Sequence, residues 1–227
     1  MSNGIEILKK SLSKGTWFDE EDHISPYLYE ERGKYKGKSN LLVKPNNTEE
    51  VSKILDICYK NKISVVPQGG RTGLSGGTIP DPAKNEIIIS MEKMNKVLFI
   101  NKNSFNVLVQ SGCTLIDIKR SVNKKGLYFP LSLPSKDSCT IGGNISTNAG
   151  GASVLKYGMT RNLVLGLEIV LPNGKILNGL REIKKDNRGY DLKHIFIGSE
   201  GTLGIITSAI LKVFPQPKKK KYCITSI

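Results

Sequence analysis

The tract Val65 to Gly77, Val-Val-Pro-Gln-Gly-Gly-Arg-Thr-Gly-Leu-Ser-Gly-Gly, sets five glycines within nine residues directly behind a β-branched run. Such a pattern ends a strand in a loop that can turn sharply, because glycine adopts positive φ and has no Cβ to block an approaching group. Successive N–H groups in such a loop point into one concavity and suit an anion such as a pyrophosphate, each charged hydrogen bond being worth about 1.5–3 kcal/mol. Two phosphate-binding motifs are excluded. The tract holds neither Gly-x-x-x-x-Gly-Lys-Ser/Thr nor Gly-x-Gly-x-x-Gly, so neither a P-loop nor a Rossmann fingerprint can be read from it. Plain turn geometry is the competing reading.

A second stretch, Ser138-Cys-Thr-Ile-Gly-Gly-Asn-Ile-Ser-Thr-Asn-Ala-Gly-Gly151, lies about seventy residues downstream. Two glycine cradles predict one long ligand: a mononucleotide needs a single phosphate loop, whereas a dinucleotide laid across a domain meets the backbone at several points. Further blocks follow in order, among them Arg32-Gly33-Lys34-Tyr35, Phe129-Pro130-Leu131-Ser132-Leu133, Leu165-Gly166-Leu167-Glu168, Lys185-Asp186-Asn187 with Gly189-Tyr190-Asp191-Leu192-Lys193, and Phe196-Ile197-Gly198-Ser199-Glu200-Gly201-Thr202-Leu203-Gly204-Ile205-Ile206-Thr207. From about Pro26 to Pro217 the chain resembles the PCMH-type FAD-binding domain of the vanillyl-alcohol oxidase superfamily. The resemblance is strongest to the branch of D-2-hydroxyglutarate dehydrogenase, D-lactate dehydrogenase and the glycolate oxidase flavin subunit.

That resemblance implies FAD, with its pyrophosphate on the backbone of Gln68, Gly69, Gly70, Arg71, Thr72, Gly73 and Leu74 and with Pro67 shaping the entry. Many relatives carry asparagine where this chain has Arg71. Ser138, Cys139, Gly142, Gly143, Asn144, Thr147, Asn148 and Gly150 would pass near the flavin ring and ribityl chain. Glu200, Gly201, Ile205 and Ile206 would belong to an adenine-side strand. Covalently flavinylated relatives place a histidine in the first loop; Arg71-Thr72-Gly73 stands there instead, so the FAD is expected to be non-covalent. The implied reaction is oxidation of a small D-2-hydroxy acid to its 2-oxo acid, with electrons passed to a separate flavoprotein, quinone or cytochrome. In the family the substrate-binding and metal-binding residues lie mostly in a second half, and no catalytic residue or metal site is assigned in this chain. Two alternatives stay open: a stand-alone FAD-binding or electron-transfer subunit, as in glycolate oxidase, and an aldonolactone or alditol oxidase of the same fold.

Composition bounds the rest. With 227 residues, 38 % apolar and 24 % charged, the chain can bury one good core and two subdomains. A net charge of +14 invites a nucleic-acid reading, but the basic residues are scattered and lack interleaved aromatics for base stacking. Cys58, Cys113, Cys139 and Cys223 share no metal-ligand spacing and read as reduced thiols. His23 and His194, the only histidines, read as packing or surface residues. No apolar run reaches the length of a membrane span and the N-terminus lacks a signal-peptide core, so the expectation is a cytoplasmic protein without a membrane span.

The periodicity predicts an α+β fold in two subdomains, α/β first and mainly antiparallel second. Asn47 or Thr48 caps a helix with Val51, Ile54, Leu55 and Cys58 inward, leading to a strand at Ile63 to Val66. Strands are expected at Glu86–Ser90 and Asn106–Gln110, and a helix capped by Thr114 and stopped at Gly126. A hairpin turns at Pro172-Asn173-Gly174, and Leu203 to Phe214 reads as a long closing strand. The expected domains are an N-terminal helical extension (1–37), the FAD-binding domain (38–217) and, after Pro215-Gln216-Pro217 and four lysines, the start of a truncated C-terminal substrate or cap domain (218–227).

Overall fold

The protein is described here from a computed structural model covering residues 2–183 and 185–218. The stretch expected to open a further domain, from Lys219 onward, lies outside the described residues.

The strands are β1 (Trp17–Phe18), β2 (Leu42–Val43), β3 (Ser64–Gln68), β4 (Glu86–Ser90), β5 (Val97–Asn101), β6 (Asn106–Gln110), β7 (Leu127–Tyr128), β8 (Val164–Val170), β9 (Ile176–Gly179), β10 (Ile205–Lys212) and β11 (Phe214–Pro215). The helices are α1 (Ser2–Ser11), α2 (Glu21–Ile24), α3 (Thr48–Lys60), α4 (Leu115–Asn123), α5 (Ile141–Ser146), α6 (Val154–Tyr157), α7 (Thr160–Leu163) and α8 (Lys193–Phe196). The α+β class read from the sequence is the observed one. A first sheet of order β1-β2-β4-β3 has a parallel core, and a second of order β5-β6-β10-β8-β9 is antiparallel throughout; β7 and β11 form a small third pair.

Local chemistry explains the first subdomain. The Asn47 side chain accepts from the Glu50 N–H at 2.8 Å and starts α3, whose apolar face of Val51, Ile54, Leu55 and Cys58 is buried against the parallel strands. β4 reads Glu-Ile-Ile-Ile-Ser because both of its faces are covered: Ile87 and Ile89 pack on the α3 side, Ile88 on the side of Ile24 and Tyr27. In the second subdomain Thr114 caps α4, and Leu115, Ile118 and Val122 enter a core built on β6, β8 and β10.

Two expectations change. The second glycine stretch is not a loop throughout but turns into α5, because Gly142 lets the helix lie close to its neighbour: a Cβ on Gly142 would stand 2.7 Å from Ser111 Cβ. The long strand begins at Ile205 rather than Leu203, since Glu200, Gly201 and Gly204 all have positive φ and break the extended chain. Val97–Asn101, which no expectation covered, is also a strand; it is an edge strand with a register shift between Val97 and Phe99, which erases the alternation.

Candidate functional site: a cleft between the two sheets

β3 ends in Pro67 and Gln68 and passes into the first glycine loop; opposite it lies α5, and the turn before β10 closes the third side. Together they line one cleft that opens to solvent. Its walls are held by backbone hydrogen bonds between elements far apart in sequence: Met91 N–H to Gln68 O at 3.0 Å, Gly142 N–H to Ser111 O at 2.8 Å, Ser111 N–H to Thr207 O at 2.9 Å and Glu200 N–H to Ser146 O at 2.9 Å.

Of the residues singled out in the sequence, Pro67, Gln68, Gly69, Gly73, Gly142, Gly143, Thr147, Glu200, Gly201, Ile205 and Ile206 converge on this cleft. The others stand behind it or beside it. A Cβ on Gly70 would lie 2.1 Å from Ser138 O, so these two residues seal the joint between the glycine stretches. Arg71 turns its guanidinium onto the Tyr27 ring at 4.2 Å, and Leu74 O accepts from the Arg32 guanidinium. Thr72 sits half-buried in the same loop. Cys139 and Asn144 are buried and face each other, Asn144 Nδ2 lying 3.5 Å from Cys139 Sγ. The Asn148 side chain accepts from the Arg161 N–H, and Gly150 packs on Met159. Ser75, Gly77, Thr78, Met91, Ser111, Thr140, Ser146 and Gly204 also line the cleft and were not singled out. Single hydroxyls contributed by separate elements leave no motif to read.

Glu200 is the one charged side chain among the lining residues. A dianionic pyrophosphate held here meets backbone N–H groups, the role glycine-rich loops serve. Three features fit FAD. Gly73 has nothing within 4 Å of an added Cβ and Gly143 has only Thr140 Oγ1 at 3.5 Å, and both have ordinary φ, so the protein's own packing does not require glycine there. Gln68 Oε1, Ser111 Oγ and Thr140 Oγ1 are buried without a protein hydrogen-bond partner, and all three residues line the cleft. Arg71, Asn148 and Glu200, beside or in the cleft, hold positive φ although none is glycine, the kind of backbone strain that gathers at ligand sites.

The comparisons with known proteins agree. The family model for the FAD binding domain matches residues 39–179. The chain belongs to this family. The probable mitochondrial D-2-hydroxyglutarate dehydrogenase of Oryza sativa subsp. indica is 46 % identical over 206 residues, which are 91 % of this chain and 36 % of the rice protein. The glycolate oxidase subunit GlcD of Bacillus subtilis is 43 % identical over 86 % of this chain and 41 % of GlcD. Among solved structures, alkyldihydroxyacetonephosphate synthase superposes with a TM-score of 0.86 at 27 % identity, over 96 % of this chain and 41 % of that one. The chain thus spans a little over a third of the length of these relatives.

The cytoplasmic expectation is corrected here. The D-2-hydroxyglutarate dehydrogenases of rice, Arabidopsis thaliana, rat and cattle that match this FAD-binding domain are all named mitochondrial. The expectation rested on the lack of an apolar leader and span, but mitochondrial addresses are amphipathic rather than apolar, so that criterion does not detect them. Among the described residues no helix is long and apolar enough to cross a membrane.

The block around Lys185 to Lys193 lies away from this cleft, at a second recess where Arg188 and Arg181 both bind Asp186, at 2.8 and 2.9 Å, and hold its carboxyl well below the usual carboxylate range. His194 packs there against Arg161, 3.1 Å from its guanidinium, and burial lowers its pKa. His23 stacks on Phe18 with ring centroids 4.9 Å apart.

Proposed function

We propose that this FAD-binding domain is part of a flavin-dependent dehydrogenase that oxidises a D-2-hydroxy acid, of the 2-hydroxyglutarate or lactate type, to the 2-oxo acid. The observation that carries the reading is the 46 % identity to the rice protein across 91 % of the chain. FAD, when bound, supplies the acceptor for the hydride that leaves the substrate's C2. The chain's own residues bind and orient: the glycine loop from Gly69 to Gly73 and, in the first turn of α5, Gly143 give N–H groups and close backbone approach, while Ile205 and Ile206 offer an apolar wall. The Arg71-Thr72-Gly73 sequence supports a non-covalent FAD. The domain limits we propose are 38–217 for FAD binding and 1–37 for the N-terminal extension; the first of these is supported by the family match at 39–179.

The likeness to GlcD favours a second reading, in which the domain serves a subunit of an oxidase whose electrons pass to a separate flavoprotein, quinone or cytochrome. Anaerobic mixing tests the assignment. Protein carrying this domain in its full-length setting is expected to lose its visible flavin absorbance with D-2-hydroxyglutarate or D-lactate and not with the L-forms, whereas bleaching by glycolate alone decides for the second reading. The 227-residue chain by itself is expected to take up FAD without bleaching, because substrate-orienting cations and a base are needed for turnover. Rapid bleaching by the chain alone would refute that division of labour.

A further inference from the structure

The three buried polar atoms on the cleft wall differ in what they can offer. Gln68 is 1 % exposed, and its Nε2 donates to Tyr27 O at 3.0 Å and to Thr78 O at 2.6 Å. Both amide hydrogens are therefore committed and the amide is fixed with Oε1 as a pure acceptor, one that no described residue satisfies. Thr140, 6 % exposed, occupies the residue before α5 where a threonine ordinarily caps the helix, yet its hydroxyl makes no capping bond and lies where a Cβ on Gly69 would fall, at 2.3 Å. Ser111, 1 % exposed, commits its N–H to Thr207 O and its C=O to the Gly142 N–H, which leaves only the hydroxyl for the cleft.

A phosphate oxygen carries no hydrogen at neutral pH and is repelled by a fixed acceptor. A hydroxyl can donate to Gln68 Oε1 and both give to and take from Thr140 and Ser111. We infer that Gln68, Thr140 and Ser111 form a polyol subsite that takes the hydroxyl-bearing portion of FAD, the ribityl chain or the adenosine ribose. The pyrophosphate is thereby displaced from Gln68 toward the loop at Gly73. This departs from the expectation that Gln68 belongs to the pyrophosphate cradle, and it rests on the FAD-binding reading.

The test uses the sign of two effects. In the free protein the hydroxyls of Thr140 and Ser111 are buried and unpaired, so removing them deletes a desolvation penalty and no hydrogen bond. Thr140→Val and Ser111→Ala are expected to leave the melting temperature of the FAD-free protein unchanged or raised, while weakening FAD about two- to tenfold each by flavin fluorescence titration. Thr140→Ser retains the hydroxyl and keeps wild-type affinity. Riboflavin and adenosine as competitors identify the source of the polyol, since only the one that reaches the subsite competes less well in the variants. Wild-type FAD affinity in both hydroxyl-deleted variants would overturn the inference, as would variants that compete less well with inorganic pyrophosphate. A wild-type protein that takes up no FAD would overturn the cofactor reading itself, and this inference with it.

Discussion

Two glycines of the cleft region are glycine for opposite reasons, and exchanging each for alanine separates them. Gly143 stands in the first turn of α5 with ordinary φ and a single atom 3.5 Å from its added Cβ. For the free protein Gly143→Ala is an improvement: alanine favours a helix interior by about 0.8–1.0 kcal/mol, which raises Tm by about 2–4 °C in a chain of this size. The same methyl projects at the cleft wall and obstructs the approach of FAD, with an expected loss of about two- to tenfold in affinity if one neutral hydrogen bond is displaced. Gly70→Ala behaves otherwise. Its Cβ would meet Ser138 O at 2.1 Å and Cys139 Cα at 2.9 Å, backbone atoms with no side-chain freedom to retreat. Overpacking of that kind costs about 1–3 kcal/mol, or about 2–12 °C in Tm. Differential scanning fluorimetry of FAD-free protein and fluorescence titration with FAD give both numbers. A Gly143→Ala protein that is stabilised yet binds FAD as wild type would show that α5 does not face the cofactor, and a Gly70→Ala protein of unchanged Tm would refute the interlocking of the two glycine stretches.

Burial pushes the thiols of Cys58 and Cys113 up to about 12, so native protein is expected to resist iodoacetamide at pH 8 at both positions, with labelling only after denaturation, read by peptide mass mapping. Raised thiol pKa values also fix a pH trend: above pH 9 the unfolded chain releases protons that the folded one retains, so stability falls as pH rises toward 12, by up to about 1.4 kcal/mol per pH unit per thiol, seen in urea midpoints. Glu168 accepts from Thr48 and Thr207, both at 2.7 Å, and so ties α3 to β8 and β10. Glu168→Ala should lower stability by about 1–3 kcal/mol in urea melts and Glu168→Gln by less, and equal losses in the two would contradict a hydrogen-bonding role.

Much of the fold is legible where local chemistry and tertiary packing agree. Asn47, Val51, Ile54, Leu55 and Cys58 announce α3, and β4 and β6 occupy the residues their β-branched runs indicate. Legibility fails where packing overrides propensity. Gly142 and Gly143 argue against a helix, yet α5 forms because only glycine lets it rest on Ser111. In the site, the glycine loop and the Glu200-to-Ile206 turn could be read as tracts. Ser111 and Met91 could not, because each comes alone from a different element, and Thr140 was passed over inside the second glycine stretch. A signal did exist for Thr140: a threonine directly before Ile-Gly-Gly sits at a helix start, and its failure to cap emerges only in three dimensions.

The core under the parallel sheet is not made by that sheet's own segment alone. Val170, at the end of β8, and Ile205, at the start of β10, are buried among Leu41, Val51, Ile54 and Ile89. A gene fragment stopping after the fourth strand would encode the whole first glycine loop and still leave its hydrophobic layer open at the place those two residues fill. The cleft therefore could not have been inherited or transplanted as two independent modules: any recombination that preserves the loop must also carry the hairpin of β8 and β9 and the strand that follows it, more than seventy residues farther along the chain.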